Sequence, residues 1–306
     1  MRKHIKKIGI CIVICSFALM SLGSGSTSDT KEIVTTEADS TAADSDNTES
    51  SDTEESEKSS GVTIEEQVLL DDNGLKVTAT EYVENGMFGD GIKLLVENNS
   101  DKSIGLGCKA LIVNDYMISD LFSSTVAAGK KSNETIDLYN NQLENAGIEN
   151  VGKIELYFHT FDPDTYMTEK EYDCVTIETS AFDKIDTTPN DSGITLFETD
   201  GVKIVGKYVD EDSIWGAGVL LYIENNLDKN IVVQCDDMSI NGYMVTPLFS
   251  STVYSNKKAI DDITILQSDL EENGIQSVDE IELNFKILDE NFTTIAESGA
   301  VTFSTK

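Results

Sequence analysis

Histidine, tryptophan, proline and cysteine are all scarce in this 306-residue chain, and these scarcities exclude several classes of protein. Of the two histidines, His4 falls in a predicted signal peptide and His159 lies on the polar side of a predicted strand. Hydrolysis near neutral pH usually needs a histidine base, so a Ser/His/Asp or Cys/His catalytic centre is excluded. No two of the many carboxylates stand out as the acid and base of a glycosidase. We therefore predict a protein that is not an enzyme, with no catalytic residue and no cofactor.

The five cysteines predict neither a disulfide scaffold nor a zinc site. Cys11 and Cys15 lie in the apolar N-terminal run, which leaves an odd number, and neither CxxC nor HxxxH spacing occurs. Cys108 and Cys235 lie on apolar predicted strands, which is typical of a cysteine that packs as a small hydrophobe. A bridge between Cys108 and Cys174 stays open, because the sequence does not give the separation of their Cα atoms.

Basic residues are the next deficit. The chain has 22 Lys plus Arg against 56 Asp plus Glu, for a formal net charge of −34. Such a field repels phosphate backbones and anionic lipids, so we predict no nucleic-acid partner and no polybasic membrane contact. The acidity is read as keeping an exported protein soluble. The alternative is calcium bound by carboxylates at acidic turns, for which the candidates are Asp162, Asp164, Asp173, Asp210, Glu211 and Asp212.

The N-terminus predicts export. Four cations precede an apolar run over 8–22, and residues 21–23 form a small-x-small cleavage site, so 1–23 reads as a signal peptide. The run is shorter than the ~20 residues that cross a bilayer. An uncleaved N-terminal anchor is the alternative to release. Lipid attachment would need a cysteine preceded by a small residue, whereas Cys11 and Cys15 each follow an isoleucine. We predict an extracellular or cell-surface protein, touching the membrane only through such an anchor.

Residues 24–60 form a predicted disordered stalk. The segment is rich in Ser, Thr, Asp and Glu and has almost no large apolar side chains. It therefore lacks the apolar surface whose burial would offset the entropy lost on ordering. A flexible coil of this length would span on the order of 30 to 35 Å. Such a spacer suits a tethered protein better than a freely diffusing one.

The rest of the chain consists of two copies of one repeat. Residues 74–168 recur as 201–295 at a spacing of about 127, which is the size of a domain rather than of a solenoid repeat. The clearest correspondence is between FGDGIKLLVENNSDKSI in the first copy and WGAGVLLYIENNLDKNI in the second, and LFSSTV occurs unchanged in both. We predict a first repeat over 61–180, a linker over 181–192 and a second repeat over 193–306. Each copy is long enough to bury its own core.

Hydrophobic residues alternate with a period of two, which predicts half-buried strands. KIELYFHTF and its counterpart EIELNFKIL show this alternation most clearly, and the strand over 104–113 changes parity midway, which predicts a bulge. Asn241-Gly242 predicts a type I′ hairpin, with Asn114-Asp115 in its place in the first copy. Ser268 and Glu271 predict a capping box for one short helix that ends at Gly274. The predicted fold class is all-β: two tandem sandwiches, each with one short helix.

With those strands placed, the chain resembles the immunoglobulin-like domains of unknown function found on secreted proteins and lipoproteins of Gram-positive bacteria. The resemblance is carried by KLLVENNSDKSI, by VAAGKK before the strand that ends in Ile136 and Leu138, and by IELYFHTFD. It covers both repeats but neither the signal nor the stalk. It implies extracellular binding or structural work without naming a ligand. The chain departs from the lipoprotein versions because it lacks a usable lipidation cysteine.

The block over 114–126, matched by 241–253, is the densest shared sequence and is read chiefly as a hairpin and core common to both copies. It also supplies the candidate binding residues Tyr116, Met117, Tyr243 and Met244, to which Trp215 is added as a lone tryptophan in a Gly-rich loop. We predict an exported, non-catalytic binding or spacer module. Its partner would be an extracellular protein or an envelope component. The alternative is a calcium-dependent adhesive or envelope-assembly protein.

Overall fold

The computed structural model describes residues 61–213 and 215–304. The predicted signal peptide, the predicted stalk and His4 lie outside the described residues. The first repeat comprises β1 (Gln67–Asp72), β2 (Leu75–Gly86), β3 (Gly89–Asn98), β4 (Ile104–Val113), β5 (Tyr116–Ile118), β6 (Ser123–Val126), β7 (Lys130–Tyr139), α1 (Asn140–Ala146), β8 (Lys153–Phe161), β9 (Thr168–Glu171) and β10 (Val175–Glu178). A 3-10 turn, Phe182–Lys184, follows it.

The second repeat has nearly the same elements in the same order. They are β11 (Ile194–Thr199), β12 (Val202–Ser213), β13 (Gly216–Asn225), β14 (Ile231–Ile240), β15 (Tyr243–Met244), β16 (Ser250–Val253), β17 (Lys257–Leu266), α2 (Gln267–Glu272), β18 (Glu280–Leu288) and β19 (Thr294–Ser304). The single strand β19 stands where the first repeat has β9 and β10. The prediction of an all-β, sandwich-like fold with one short helix per repeat is confirmed.

The alternating sequence pattern becomes alternating burial. In β8, Ile154, Leu156 and Phe158 are buried while the residues between them are half-exposed, and β18 repeats this with Ile281, Leu283 and Phe285. This pattern is expected where successive side chains point to opposite faces of a sheet and only one face is packed.

The predicted turn and bulge are both present. Asn241 and Gly242 have φ of 51° and 82°, the left-handed values that a type I′ turn requires, and Asn114 and Asp115 have 48° and 70°. The bulge in β4 falls between Cys108 and Ala110, where the pairing with β8 shifts by one residue. The parity change read from the sequence is therefore a register shift within one strand.

The predicted capping box is wrong. Helix α2 begins at Gln267 immediately after β17, with Leu266 at its N-cap and no side-chain cap hydrogen bond. Ser268 therefore lies inside the first turn rather than before it. The strand runs directly into the helix, so its last residue occupies the cap position. The predicted end is correct, because Gly274 has φ +67° and its N–H donates to the carbonyl of Glu271 at 3.1 Å.

Three sheets organise the two repeats. One has the order β1-β2-β3-β7, and another has the order β15-β14-β18-β19 with β16 beside β14. The third is ten-stranded and runs β10-β8-β4-β5-β17-β13-β12-β11, with β6 and β9 at its side. This sheet contains strands of both repeats and continues from one into the other.

Each repeat nevertheless has its own hydrophobic core. The larger side chains of the first core come from β2, β3, β4, β7 and β8, and those of the second from β12, β13, β14, β17 and β18. Val205 and Tyr222 of the second repeat join the first core, and a small third cluster of Ala110, Ile112 and Tyr254 lies between the two. By their contacts, residues 61–213 and 215–304 belong to one compact unit.

Candidate functional site

The two repeats meet where β5 lies parallel to β17. Tyr116 pairs with Lys258 and Met117 with Ala259, and the N–H of Lys258 donates to the carbonyl of Asp115 at 2.9 Å. This pairing is what makes the ten-stranded sheet continuous. It buries Tyr116, whose hydroxyl accepts a hydrogen bond from the N–H of Asn190 in the linker at 3.0 Å.

A cluster of charges reinforces this junction. The Lys257 Nζ lies 2.7 Å from Oδ1 of Asp115 and 2.6 Å from Oε2 of Glu155, and the Lys153 Nζ is 2.7 Å from the same oxygen of Asp115. The side chains of Lys257 and Glu155 are each only 13% exposed. Burial pushes the pKa of Asp115 upward, but the hydrogen bonds from Lys153 and Lys257 outweigh it and hold that pKa below its usual value.

Aromatic rings fill the rest of the junction. The rings of Tyr157 and Tyr254 meet edge to face with centroids 4.9 Å apart, and those of Tyr116 and Tyr222 do the same at 6.5 Å. The Lys258 ammonium lies 5.5 Å from the centroid of the Tyr116 ring. Each of the two ring pairs joins one residue from each repeat, so aromatic packing adds to the ion pairs across the junction.

Sequence reasoning missed this junction, although the sequence carries a signal for it. Apolar or aromatic junction residues are replaced by smaller or polar ones at the equivalent position of the other copy. The pairs are Tyr222 with Leu95, Tyr254 with Ala127, Ala110 with Asp237, Ile112 with Ser239 and Tyr157 with Asn284. A contact surface that only one of two duplicated repeats uses is marked by positions at which the two copies differ in polarity.

In the shared block LFSSTV, the segment SSTV is a strand in both repeats, with its second serine and its valine buried, whereas the leading leucine is exposed. Ser124 and Ser251 are buried, and their hydroxyls contact an inward-facing acid, Glu134 in the first repeat at 2.6 Å and Asp261 in the second. The carbonyl of the final valine accepts a hydrogen bond from the preceding buried asparagine in each copy. The sequence of the block is the same in the two copies because both copies make these contacts.

Two carboxyls face a cavity of about 300 Å³ beside the junction. They are Asp120 of the first repeat and Asp261 of the second. Burial raises the pKa of each to about 6, and for Asp261 the hydrogen bonds from Ser251 and from the N–H of Asp262 offset only part of that effect. Above pH 6 both therefore carry a charge that the folded chain solvates poorly.

Replacement of Asp261 by asparagine is expected to stabilise the protein by about 1–2 kcal/mol at pH 7.5 and by about half as much at pH 5. A carboxyl with a raised pKa contributes stability that is complete below its unfolded value and lost as the pH rises through about 6. For the same reason, the wild type is expected to be more stable at pH 5.5 than at pH 7.5. Urea unfolding at the three pH values measures this. Asp262→Asn, at the exposed neighbouring position, is the control, and equal effects of the two variants would contradict the assignment.

The remaining predicted binding residues lie on the second repeat. Tyr243 and Met244 are 52% and 63% exposed on β15, and Trp215 is 58% exposed in the turn before β13. The Trp215 carbonyl accepts from the N–H of Gln267 at 2.7 Å, and Leu248, which is also exposed, is bonded to Thr264 of β17. We call these four residues the distal patch: Trp215, Tyr243, Met244 and Leu248.

The predicted site residues thus separate into two places. Tyr116 and Met117 lie in the junction, where Tyr116 is buried and Met117 half-buried, whereas the distal patch lies toward the other end of β17. About seven residues of β17 separate the two, which corresponds to roughly 23 Å at the usual rise of a strand. The hairpin that is covered by a neighbour in the first repeat is therefore exposed in the second.

His159 and the acidic turns have structural partners. Burial lowers the pKa of His159, whose ring lies 5.9 Å from that of Phe161. Asp162 Oδ1 accepts from the N–H groups of Asp164 and Thr165, both at 2.9 Å, which holds the turn. Among residues 61–213 and 215–304, no group of three or more His, Cys, Asp or Glu side chains is placed to hold a metal ion. In the same part of the chain Cys108, Cys174 and Cys235 are free thiols.

None of the helices in the described residues is long and apolar enough to cross a membrane. No protein-family model matches the chain, and no curated protein matches it.

Solved structures of low similarity do match the chain. A complex of the Salmonella enterica SafA pilin with the SafB chaperone is 14% identical, covers 75% of this chain and 95% of its own, and has a TM-score of 0.24. The YadV chaperone is 9% identical over 70% of this chain and 91% of its own, with a TM-score of 0.21. A Porphyromonas gingivalis protein of unknown function is 11% identical over 70% and 90%, with a TM-score of 0.20. At these TM-scores the likenesses carry no argument about fold or function.

Proposed function

We propose that this chain is an exported, non-catalytic binding module of the immunoglobulin-like type, in which the acidic N-terminal segment presents the two repeats at or beyond the cell surface. The junction between the repeats is the observation that supports it most directly. Strand pairing, buried charges and two tyrosine pairs fix the second repeat on the first. A chain that served only as a flexible spacer would need none of these contacts.

The fixed junction gives the distal patch a defined position. Its four exposed side chains include two aromatic rings and a methionine, the types that dominate binding energy in protein interfaces. Exposed apolar side chains of this size at one end of a domain are typical of a contact surface. The strong negative charge of the chain favours partners with a neutral or basic surface.

Replacing Trp215 by Ala together with Tyr243 by Ser is expected to weaken binding of the mature chain to its native cell envelope by about 10-fold or more. Two interface aromatics at ~1–2 kcal/mol each correspond to that change in affinity. The binding of fluorescently labelled chain to isolated envelopes measures it. Both side chains are exposed, so the unfolding midpoint is expected to stay within experimental error.

The matched control is Tyr166→Ser, which removes an exposed aromatic ring from a turn of the first repeat. Envelope binding by this variant is expected to equal that of the wild type. Unchanged binding by the double variant would contradict the assignment of the distal patch as the contact surface.

A further inference from the structure

The junction uses a different surface of each repeat, and each repeat also carries a copy of the surface that the other one uses. The first repeat supplies the hairpin strand β5, which lies on residues 258–259 of β17 in the second repeat. We call these two residues a receiving segment. The duplication gives the second repeat its own hairpin strand, β15, and gives the first repeat its own receiving segment, residues 131–132 of β7.

Both of these copies lie at the edges of their sheets. β7 is the last strand in the order β1-β2-β3-β7, and β15 is the first in the order β15-β14-β18-β19. Within residues 61–213 and 215–304, β7 pairs only with β3 and β15 only with β14. Tyr116 of β5 is 5% exposed, whereas its counterpart Tyr243 of β15 is 52% exposed. Edge strands of this kind can pair with a strand of another molecule.

The main-chain geometry that the pairing requires is the same in the two places. In the junction the N–H of Lys258 donates to the carbonyl of Asp115, away from β13. Lys131 takes the place of Lys258 in β7, and Gly242 takes the place of Asp115 before β15. Each of the two lysines pairs with the matching glutamate of the neighbouring strand. The N–H of Lys131 therefore also points away from its own sheet.

The most buried ion pair of the junction has its counterpart in these two surfaces. Lys257 corresponds to Lys130 of β7 and Glu155 to Glu282 of β18, and both counterparts are exposed. A second copy of the chain, docked with the geometry of the junction, would bring Lys130 of one copy beside Glu282 of the other. The two surfaces thus retain the ion pair that joins the repeats within one chain.

The charges around this pair are also complementary. Lys131 follows Lys130 and makes the receiving side basic, and on the hairpin side Glu280 stands in place of Lys153. Attraction of this kind between two copies acts at short range, where it opposes the repulsion due to the net negative charge of the chain.

The aromatic contacts of the junction are not repeated. Tyr222 and Tyr254 correspond to Leu95 and Ala127 in the first repeat. The contact between copies therefore depends more on charge and strand pairing than the junction does. It is expected to be reversible and weaker than the junction, in which the two partners belong to one chain.

Within a repeat the two surfaces lie at opposite ends. Just after each hairpin strand a main-chain N–H donates to a side chain of the short helix: Ser119 to Oε1 of Gln142 at 2.7 Å, and Thr246 to Oδ2 of Asp269 at 3.0 Å. Each receiving segment lies near the far end of the ten-residue strand that runs into that helix. Both surfaces of one repeat can therefore be occupied at the same time.

We propose that copies of this chain assemble head to tail, with the hairpin strand β15 of one copy on the receiving segment of β7 in the next. The inference rests on the proposed role of the distal patch as a contact surface, because Tyr243 and Met244 belong to both. The contact joins two different surfaces, and each copy at an end keeps one of them uncovered. Contacts of this type give an open chain of copies rather than a closed dimer.

Sedimentation velocity of the mature chain, from micromolar to millimolar concentration, is expected to show reversible growth beyond a dimer. Lys130→Glu and Glu282→Lys each place like charges against one another across the contact. Each is expected to weaken self-association by about 10-fold or more, with the unfolding midpoint of the dilute chain unchanged because both positions are exposed. The matched control is Lys184→Glu, which makes the same charge change at an exposed lysine of the 3-10 turn and is expected to associate as the wild type does.

An equal mixture of Lys130→Glu and Glu282→Lys chains gives the sharper test. Alternating copies place Lys against Glu at every contact, in the native order at one and in the reverse order at the next. The mixture is therefore expected to associate as the wild type does, although neither variant does so alone. A purely structural effect of either substitution would not be repaired by mixing.

The proposal is overturned if the wild type stays monomeric, if Lys184→Glu weakens association as much as Lys130→Glu, or if the mixture associates no better than the separate variants. Envelope binding at nanomolar concentration, where copies do not meet in solution, tests the proposed function separately. Envelope binding without self-association would overturn only the head-to-tail assembly. Self-association without envelope binding would overturn only the proposed envelope contact.

Discussion

Replacing Asn225 by aspartate is expected to destabilise the protein by about 3–4 kcal/mol. Asn225 is fully buried, and its Nδ2 donates to the carbonyls of Lys229, Val253 and Tyr254 at 2.9, 3.0 and 3.1 Å. Its Oδ1 accepts from the N–H of Leu227 at 3.0 Å. An aspartate cannot donate, so a buried charge would face three carbonyl oxygens. Urea unfolding of the mature chain measures the loss.

Asn226 provides the control for this change. It is the next residue in the same turn, it is exposed, and its N–H bonds to the carbonyl of Gly201 whichever side chain is present. Asn226→Asp is expected to change the free energy of unfolding by less than ~0.5 kcal/mol. Asn98 makes the same kind of contacts in the first repeat, with the carbonyls of Lys102 and Val126, so Asn98→Asp should resemble Asn225→Asp. Similar losses for Asn225→Asp and Asn226→Asp would contradict the role of the buried amide.

Replacing Lys257 by alanine is expected to cost about 2 kcal/mol and to uncouple the two repeats. The change leaves Glu155 buried without one of its cations and takes away one of the two ammonium groups that bind Asp115. The wild type should unfold in one transition, because the junction ties the repeats together. In the variant, tyrosine fluorescence and far-UV circular dichroism are expected to give separate midpoints.

Lys130 is the matched control, because it is the equivalent residue of the first repeat and lies exposed at the start of β7. Lys130→Ala is expected to unfold as the wild type does. The account of the junction would be contradicted if Lys257→Ala also unfolded in a single transition with an unchanged midpoint.

The elements of the fold were predictable because their signals are local. Period-two alternation, the Asn-Gly turn and the parity change in β4 each involve a few consecutive residues, and the duplication gave every strand signal twice. The helix cap failed because Ser268 and Glu271 match the capping pattern, yet the strand continues to Leu266 and takes the cap position itself. How far β17 continues depends on its pairing with β13, and a pattern of a few consecutive residues carries no information about that pairing.

The junction was not predictable from such signals. The contact between Lys257 and Asp115 joins residues 142 apart, and the strand pairing beside it uses main-chain groups that every sequence has. Tyr116 and Tyr243 look alike in the sequence, but one is buried by the neighbouring repeat and the other is exposed. The domain boundaries 61–180, 181–192 and 193–306, and export itself, stay predictions.

A fixed junction requires above all that the two repeats tumble as one rigid body. The direct measurement is ¹⁵N relaxation of the mature chain, comparing backbone amides of the first core, such as Leu94, with those of the second, such as Leu221. One rotational correlation time, shared by both repeats and by both ends of β17, is the result expected for a fixed junction. Two different and shorter correlation times, one for each repeat, would contradict it.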